Sequence, residues 1–136
     1  MSKRQVVIAI DAMGGENSPY KVLKGTEIFL KKEKNTKVVF FGNERLINNT
    51  LKQNRIDLFN YEIVNTEEII SDEDNVNTIL RSKKNSSIYK GLEFAKNNID
   101  SGFVSSGSTA AIMILSRLHM GMIDGIDRPA ICSLVP

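Results

Sequence analysis

Residues 6–17, VVIAIDAMGGEN, place the strongest constraint on what this chain can fold into. The five apolar residues at 6–10 are typical of a strand that is buried on both faces of a parallel sheet. Asp11 follows directly after this run, and the pair Gly14 and Gly15 comes next. The segment therefore predicts a buried strand that ends in a glycine turn.

A helix is predicted after this turn, because Ser18 suits an N-cap and Pro19 suits a first helical residue. A strand, a glycine turn and a helix in this order direct backbone N–H groups toward an anion. The alternative is a tight turn without a ligand, since many structural turns also use glycine. A dinucleotide-binding fingerprint is excluded, because no third glycine follows at the required spacing.

Short apolar runs alternate with amphipathic helical patterns along the rest of the chain. This alternation predicts right-handed βαβ crossovers and an α/β fold with a three-layer, Rossmann-like parallel sheet. Ligands of such sheets bind at the carboxyl ends of the strands, which selects the loops at 11–17 and 105–109. The predicted strands are 6–10, 37–41, 61–64, one ending at 103–105, and 130–135. The predicted helices are 19–33, 44–53, 76–80, 87–97 and 109–120.

The last predicted strand, residues 130–135, has no crossover helix after it, although a parallel strand normally has both faces covered. We therefore expect residues 1–136 to be the N-terminal part of a single α/β catalytic domain that is truncated in this chain. The acidic residues Asp72, Glu73 and Asp74 are expected to lie in a solvated loop.

Composition and charge are those of a soluble globular protein. The net charge is only +2 and there is no Trp, so the chain lacks the basic face with stacking aromatics that a nucleic-acid binder needs. Cys132 is the single cysteine; it excludes an intrachain disulfide and a Cys-based metal site, and we expect it in the core. The N-terminal apolar run is too short for a signal peptide, and no run reaches the roughly 18 residues that span a bilayer. We expect a cytoplasmic protein.

Residues 102–111, GFVSSGSTAA, form the second candidate for ligand binding. Hydroxyl side chains surround Gly107 at a predicted helix start, where the first-turn N–H groups are free. Ser108 suits an N-cap, so capping alone is one interpretation. Oxyanion binding is the other, and we favour it because the four hydroxyls exceed what a cap needs; they belong to Ser105, Ser106, Ser108 and Thr109. A P-loop is excluded, because the first glycine precedes the strand and the lysine is missing.

Two further features involve charged or titratable side chains. Arg81, Lys83 and Lys84 place three cations within four residues, which suits a phosphate; a solvated charge run is the alternative. His119 is the only histidine, and a continuous helix would separate it from Ser108 by about 16 Å. No Ser–His pair is therefore expected, and we predict that His119 lies on a helix surface or at an interface.

Four blocks, in this order and spacing, resemble the bacterial acyl-ACP:phosphate acyltransferases of phospholipid synthesis: IDAMGGEN, RSKKNSSIYKGLEFAK, GFVSSGSTAAIM and GIDRPAICSLVP. The resemblance covers essentially the whole chain and only the N-terminal portion of family members. The chain departs from the family pattern at Glu16 and Asn85, where the family usually has Asp. In the serine loop, Ser106, Ser108 and Ala110 stand where the family usually has Ala, Asn and Gly.

The resemblance implies transfer of a fatty acyl group from an acyl carrier protein thioester to inorganic phosphate, which gives acyl phosphate. It implies direct attack by phosphate, with no metal and no cofactor. Acyl carrier protein and inorganic phosphate are the implied partners, together with a homo-oligomer and peripheral membrane contact through sequence outside this chain. The implied catalytic residues are Asp11, which would orient a donor or a water, and Lys84. The implied phosphate and substrate contacts are Gly14, Gly15, Asn17, Arg81, Lys83, Ser105, Ser106, Gly107, Ser108 and Thr109.

Two alternatives to this enzyme function stay open at the level of the sequence. One is a non-catalytic Rossmann-like module that binds a nucleotide or another anionic ligand. The other is an assembly half that functions only beside its missing portion. Because the last strand lacks its covering helix, we expect the isolated chain to have no acyltransferase activity.

Overall fold

The structure of the chain is a computed structural model, and it describes residues 5–134. Strands and helices alternate through this part of the chain as the sequence predicts. Helices at 44–53, 87–97 and 109–120 have the predicted bounds. The elements are β1 (Val6–Asp11), α1 (Tyr20–Lys32), β2 (Thr36–Gly42), α2 (Glu44–Gln53), β3 (Tyr61–Asn65), α3 (Val76–Arg81), α4 (Ser87–Asn97), β4 (Ser101–Val104) and α5 (Thr109–Met120).

The described strands form one parallel sheet in the order β3-β2-β1-β4. The chain runs outward from β1 to β2 and β3, and then returns to place β4 on the other side of β1. The strand order therefore reverses between β1 and β4, and such a switch point is where open α/β sheets bind their ligands. Ile10 of β1 pairs with Val104 of β4, so Asp11 and Ser105 leave the sheet side by side.

Helices cover both faces of this sheet, which confirms the three-layer, Rossmann-like architecture. On one face, Leu23 and Leu30 of α1 and Ile47 of α2 pack with Val38 and Phe40 of β2, and all five side chains are fully buried. On the other face, Ala9, Val39 and Phe41 pack against Phe94 of α4. Helix α5 packs in turn on α4 and α3, around a second apolar cluster that includes Leu115.

The strand predicted at 130–135 is wrong. Residues 130–134 form neither strand nor helix in the structure, and the remaining residue of that predicted strand, Val135, lies outside the described residues. Ile131 and Leu134 are exposed, and Cys132 is exposed instead of buried in the core. An apolar run becomes a strand only when a neighbouring strand supplies its hydrogen bonds, and in residues 5–134 none pairs with this one.

Another wrong prediction concerns the start of α1. The helix begins at Tyr20, and its N-cap position is occupied by Pro19, which has no side-chain capping bond. Ser18 instead donates its hydroxyl hydrogen to the carbonyl oxygen of Gly14. The side chain that was expected to cap the helix therefore closes the glycine turn.

Two helical glycines allow a matched test of the packing. A methyl group at Gly25 of α1 would meet no atom within 4 Å, whereas at Gly91 of α4 it would lie 2.3 Å from Cε2 of Phe103. We expect Gly25→Ala to raise the free energy of unfolding by about 0.5–1 kcal/mol, because alanine is the better helix former. Gly91→Ala should lower it by about 1–2 kcal/mol, because the Phe103 ring has to move. Urea denaturation of both variants checks the pair, and equal effects would contradict this packing of α4 on β4.

His119 is buried in the structure, which corrects the prediction that it lies on a helix surface or at an interface. Its ring contacts Tyr89 of α4 edge to face, with 4.5 Å between the ring centroids. Among the described residues, no hydrogen-bond partner reaches its buried Nε2. Burial lowers the pKa of His119 below its usual value, so the fold favours the neutral ring.

This burial predicts a pH dependence of stability. The contribution of His119 to the free energy of unfolding should be highest above about pH 6.5, the usual pKa of an unfolded histidine. It should decrease as the pH falls from there through the lowered pKa of His119, because the unfolded chain then binds a proton that the folded chain disfavours. In His119→Leu, the decrease between pH 6.5 and pH 5 should be smaller than in the wild type. Urea titrations at these two pH values make the comparison, and an unchanged decrease would refute the role of His119.

Candidate functional site

The carboxyl group of Asp11 joins the two loops that the sequence selected. Its Oδ1 accepts hydrogen bonds from the N–H groups of Met13 and Gly14, at 3.0 and 3.1 Å. Its Oδ2 accepts the hydroxyl hydrogen of Ser105, at 2.7 Å. Asp11 is fully buried at the end of β1, where Asp commonly accepts bonds from the backbone of a following turn. The carboxyl group thus holds the glycine turn with one oxygen and the serine loop with the other.

Ser105 continues this network into the serine loop. Its hydroxyl oxygen accepts a hydrogen bond from the N–H of Gly107, at 3.0 Å, while its hydrogen is donated to Asp11. Ser105 therefore determines the path of the loop, and its hydroxyl is already engaged by protein partners.

The two loops also touch through their backbones, and this contact requires glycine. A Cβ at Gly14 would lie 2.4 Å from Oδ2 of Asp11 and 2.6 Å from the nitrogen of Gly107. Gly15 has a φ of +86°, and a Cβ there would lie 2.9 Å from Cβ of Ser106. The glycine pair thus serves close packing of the two loops as well as the turn itself.

Among the described residues, several N–H groups of these loops have no acceptor, and they include those of Gly15, Thr109 and Ala110. The last two belong to the first turn of α5, which is capped by the Ser108 side chain through the N–H of Ala111, as the capping interpretation predicts. The N–H of Gly14, in contrast, is taken up by Asp11. The anion-binding potential of the site therefore lies at Gly15 and at the start of α5.

A cavity of about 520 Å³ lies beside these loops, and Gly15 and Thr109 are in its lining. The glycine turn lines one side, Ser106, Gly107, Ser108 and Thr109 line another, and a third segment, residues 69–72, closes it. The structure thus brings together most of the predicted loop residues. Of the predicted contacts in the two loops, Ser105 and Asn17 lie outside this lining, and Asn17 is on the exposed part of the turn, with a φ of 58°.

The predicted cations do not line this cavity. Arg81 and Lys84 are exposed. The Nζ of Lys83 donates to the carbonyl oxygen of Ile69 at 2.9 Å and lies 3.6 Å from the carboxyl of Asp74. Charge neutralisation by these three residues therefore stays a prediction. The charged groups in the cavity lining are the carboxyls of Glu16 and Asp72.

Two neighbouring cavities share Lys21, Val22 and Ser106 in their linings. One, of about 410 Å³, lies beside the glycine turn, and Lys21 is the cation in its lining. The other, of about 300 Å³, is mainly apolar and lies between α1 and the ends of β1 and β4. It reaches the Asp11–Ser105 pair at one end.

Sequence reasoning missed Lys21 and residues 69–72 as parts of the site. Lys21 lies outside the apolar stripe of α1, and its place in the first turn of the helix that follows the glycine turn is a usable signal. The segment 69–72 has no such signal, because its place depends on contacts with residues further along the chain.

Within the described part of the chain, no group of three or more His, Cys, Asp or Glu side chains is placed to hold a metal ion. No helix in the same part is long and apolar enough to cross a bilayer.

The parallel sheet, with a glycine turn and a hydroxyl-rich helix start at its switch point, defines an α/β protein with a candidate oxyanion site. Residues 6–136 match the family model described as "Fatty acid synthesis protein", and the chain belongs to this family.

Curated relatives are similar to almost the whole chain. A "Phosphate acyltransferase" of Caldicellulosiruptor bescii is 40% identical over 129 residues, which are 95% of this chain and 39% of the relative. Proteins of the same name from Dictyoglomus thermophilum and Clostridium tetani are 40% and 38% identical, with 95% of this chain covered in both cases. This chain spans about 39% of the length of such relatives.

Proposed function

We propose that this chain forms the phosphate-binding part of a phosphate acyltransferase. In this proposal the complete enzyme transfers a fatty acyl group from an acyl carrier protein thioester to inorganic phosphate and releases acyl phosphate. The observation that carries the proposal is the joining of the glycine turn to the serine loop by Asp11, beside a cavity that both loops line. The names of the relatives support the choice of reaction.

In this acyl transfer the protein mainly has to bind the two substrates and stabilise the charge that develops. A phosphate oxygen attacks the thioester carbonyl carbon, a C–O bond forms, the C–S bond breaks, and the thiolate leaves and takes up a proton from solvent. Free phosphate is largely dianionic at neutral pH, since by analogy with phosphate monoesters its second pKa is about 6, and it therefore needs little help from a general base. The negative charge that develops on the carbonyl oxygen needs donors, and one well-placed donor is worth about 10²–10³ in rate.

The roles that we propose follow from which groups are open and which are engaged. The open N–H groups of Gly15, Thr109 and Ala110, with the hydroxyls of Ser106 and Thr109, bind the phosphate or the oxyanion. Asp11 and Ser105 act as positioning residues, because their hydrogen bonds are made to each other and to the loop backbones.

The apolar cavity offers a place for the first carbons of the acyl chain. Its lining is formed by side chains such as Ile8, Ile10, Val22 and Phe29, and Ser105 and Ser106 lie at its polar end. In this arrangement the thioester carbonyl reaches the serine loop while its chain stays out of water, which is favourable by about 0.8 kcal/mol for each CH₂ buried.

A chimera tests the proposed function directly. Residues 6–134 of this chain replace the matching segment of the Caldicellulosiruptor bescii relative, and thiol release from acyl carrier protein thioester is measured with and without inorganic phosphate. We expect release that depends on phosphate. A folded chimera that binds phosphate but releases no thiol would instead favour a non-catalytic anion-binding module.

Lys84 allows a sharper prediction in the same chimera. Lys84 is exposed near the start of α4, and we propose that it and Arg81 neutralise phosphate charge. Lys84→Ala should raise the KM for phosphate about tenfold or more, because a charge-assisted hydrogen bond is worth about 1.5–3 kcal/mol. Lys52→Ala, at an exposed cation in the last turn of α2, is the matched control. Equal kinetics for the two variants would remove Lys84 from the site.

A further inference from the structure

We propose that Lys83 is a positioning residue that holds residues 69–74 as one wall of the candidate phosphate cavity. The consequence for ligand binding rests on the proposed function, whereas the holding of the wall does not. The sequence pattern grouped Lys83 with Arg81 and Lys84 as cations for phosphate, and the contacts in the structure separate Lys83 from those two.

Lys83 makes two contacts with the wall. Its Nζ donates a hydrogen bond to the carbonyl oxygen of Ile69 at 2.9 Å and forms an ion pair with Oδ2 of Asp74 at 3.6 Å. Three quarters of the Lys83 side chain and more of the Asp74 side chain are shielded from solvent, since they are 25% and 14% exposed. Such shielding makes the pair stronger than a fully exposed ion pair.

Asp74 in turn forms hydrogen bonds with Ser71 of the wall. Its Oδ2 accepts hydrogen bonds from the N–H of Ser71 at 2.8 Å and from the Ser71 hydroxyl at 3.3 Å, and its own N–H donates to the carbonyl oxygen of Ser71 at 3.2 Å. The Ser71 N–H and the nearby Lys83 cation lower the pKa of Asp74. The sequence suggested a solvated acid at Asp74. In the structure, Asp74 is instead the centre of a hydrogen-bond and ion-pair network.

The wall faces the two loops across the cavity. Ile69, Ile70, Ser71 and Asp72 line it opposite the glycine turn and the start of α5. Ile70 is buried in the apolar cluster of α3, α4 and α5, which anchors one point of the segment. Lys83 fixes the remainder on both sides of Asp72, whose carboxyl group would repel a phosphate if the wall moved inward.

A second contact attaches the wall to the segment at 83–85 without the side chain of Lys84. Glu68, just before the wall, accepts the N–H of Asn85 at 2.8 Å and donates its own N–H to the carbonyl oxygen of Asn85 at 3.3 Å. The segment is thus attached to residues 83–85 at two points, and the exposed side chain of Lys84 takes part in neither.

Backbone amide exchange in the isotope-labelled 136-residue chain tests this proposal. Lys83→Met removes the amine and keeps the apolar stem, Lys83→Arg keeps a cation, and Lys84→Met is the matched control. We expect the N–H groups of Ser71 and Asp74 to exchange about tenfold faster in Lys83→Met, which corresponds to about 1.4 kcal/mol of lost protection. Exchange should be close to that of the wild type in Lys83→Arg and in Lys84→Met. Unchanged exchange in Lys83→Met would overturn the proposal.

Titration with inorganic phosphate then tests whether the position of the wall affects phosphate binding. We expect the dissociation constant to rise several-fold in Lys83→Met and to be restored in Lys83→Arg. Phosphate binding that is equal in the wild type and in Lys83→Met would overturn the link between the wall and the ligand. No phosphate response in the wild type would overturn the proposed function, and the exchange rates would still decide whether Lys83 holds the wall.

Discussion

Asp11→Ala should lower the free energy of unfolding by about 3–5 kcal/mol, the largest effect that we expect from any single substitution in this chain. The substitution removes three hydrogen bonds and leaves the N–H groups of Met13 and Gly14 and the hydroxyl of Ser105 without their acceptor. A buried donor that loses its acceptor costs about 1–3 kcal/mol. Urea denaturation measures the loss, and a stability within 0.5 kcal/mol of the wild type would contradict the joining role of Asp11.

Asp11→Asn separates the effect of Asp11 on the glycine turn from its effect on the serine loop. An amide oxygen in the place of Oδ1 keeps the bonds from Met13 and Gly14, whereas the amide nitrogen cannot accept the hydroxyl hydrogen of Ser105. We expect a smaller stability loss, with amide chemical-shift changes concentrated in residues 105–109. Asp57→Asn, at an exposed aspartate after α2, is the control and should leave those residues unchanged.

The second large effect is expected for Gly14→Ala. The new methyl group would lie 2.4 Å from Oδ2 of Asp11 and within 3 Å of the Gly107 backbone, so the two loops have to separate. We expect a stability loss of about 3 kcal/mol, at the upper end of what overpacking costs. In the chimera, thiol release should fall at least tenfold.

Gly102→Ala is the matched control for this substitution, because a Cβ at Gly102 meets no atom within 4 Å. It should preserve both stability and thiol release. Comparable losses in the two variants would contradict the close packing of the two loops at Gly14.

The fold was largely predictable, because its signals are local. Helices such as α2, α4 and α5 carry apolar residues at helical spacing, and the strands are short apolar runs between turn residues, so their order alone implies the parallel sheet. The strand predicted at 130–135 failed because a strand depends on a neighbour that no local pattern reveals. His119 was misplaced because a lone histidine looks polar, although it continues the spacing of Ala111 and Leu115 along one face of α5.

The candidate site was predictable as two loops but not as one network. Both loops follow strands, and that rule selected them. The bond between Asp11 and Ser105 joins residues 94 positions apart, and no motif encodes such a contact. Lys83 shows the same limit, since its charge suggested a ligand, whereas its partners are Ile69 and Asp74.

A titration of the labelled chain with inorganic phosphate, followed by backbone amide chemical shifts, tests whether the two loops joined by Asp11 bind phosphate as one site. We expect saturable shifts at Gly15 and at residues 106–110 at millimolar phosphate, with both loops responding at the same dissociation constant because Asp11 couples them. Asp11→Asn should weaken the response of both loops together. No shift in either loop at these concentrations, or different dissociation constants for the two loops, would contradict the account.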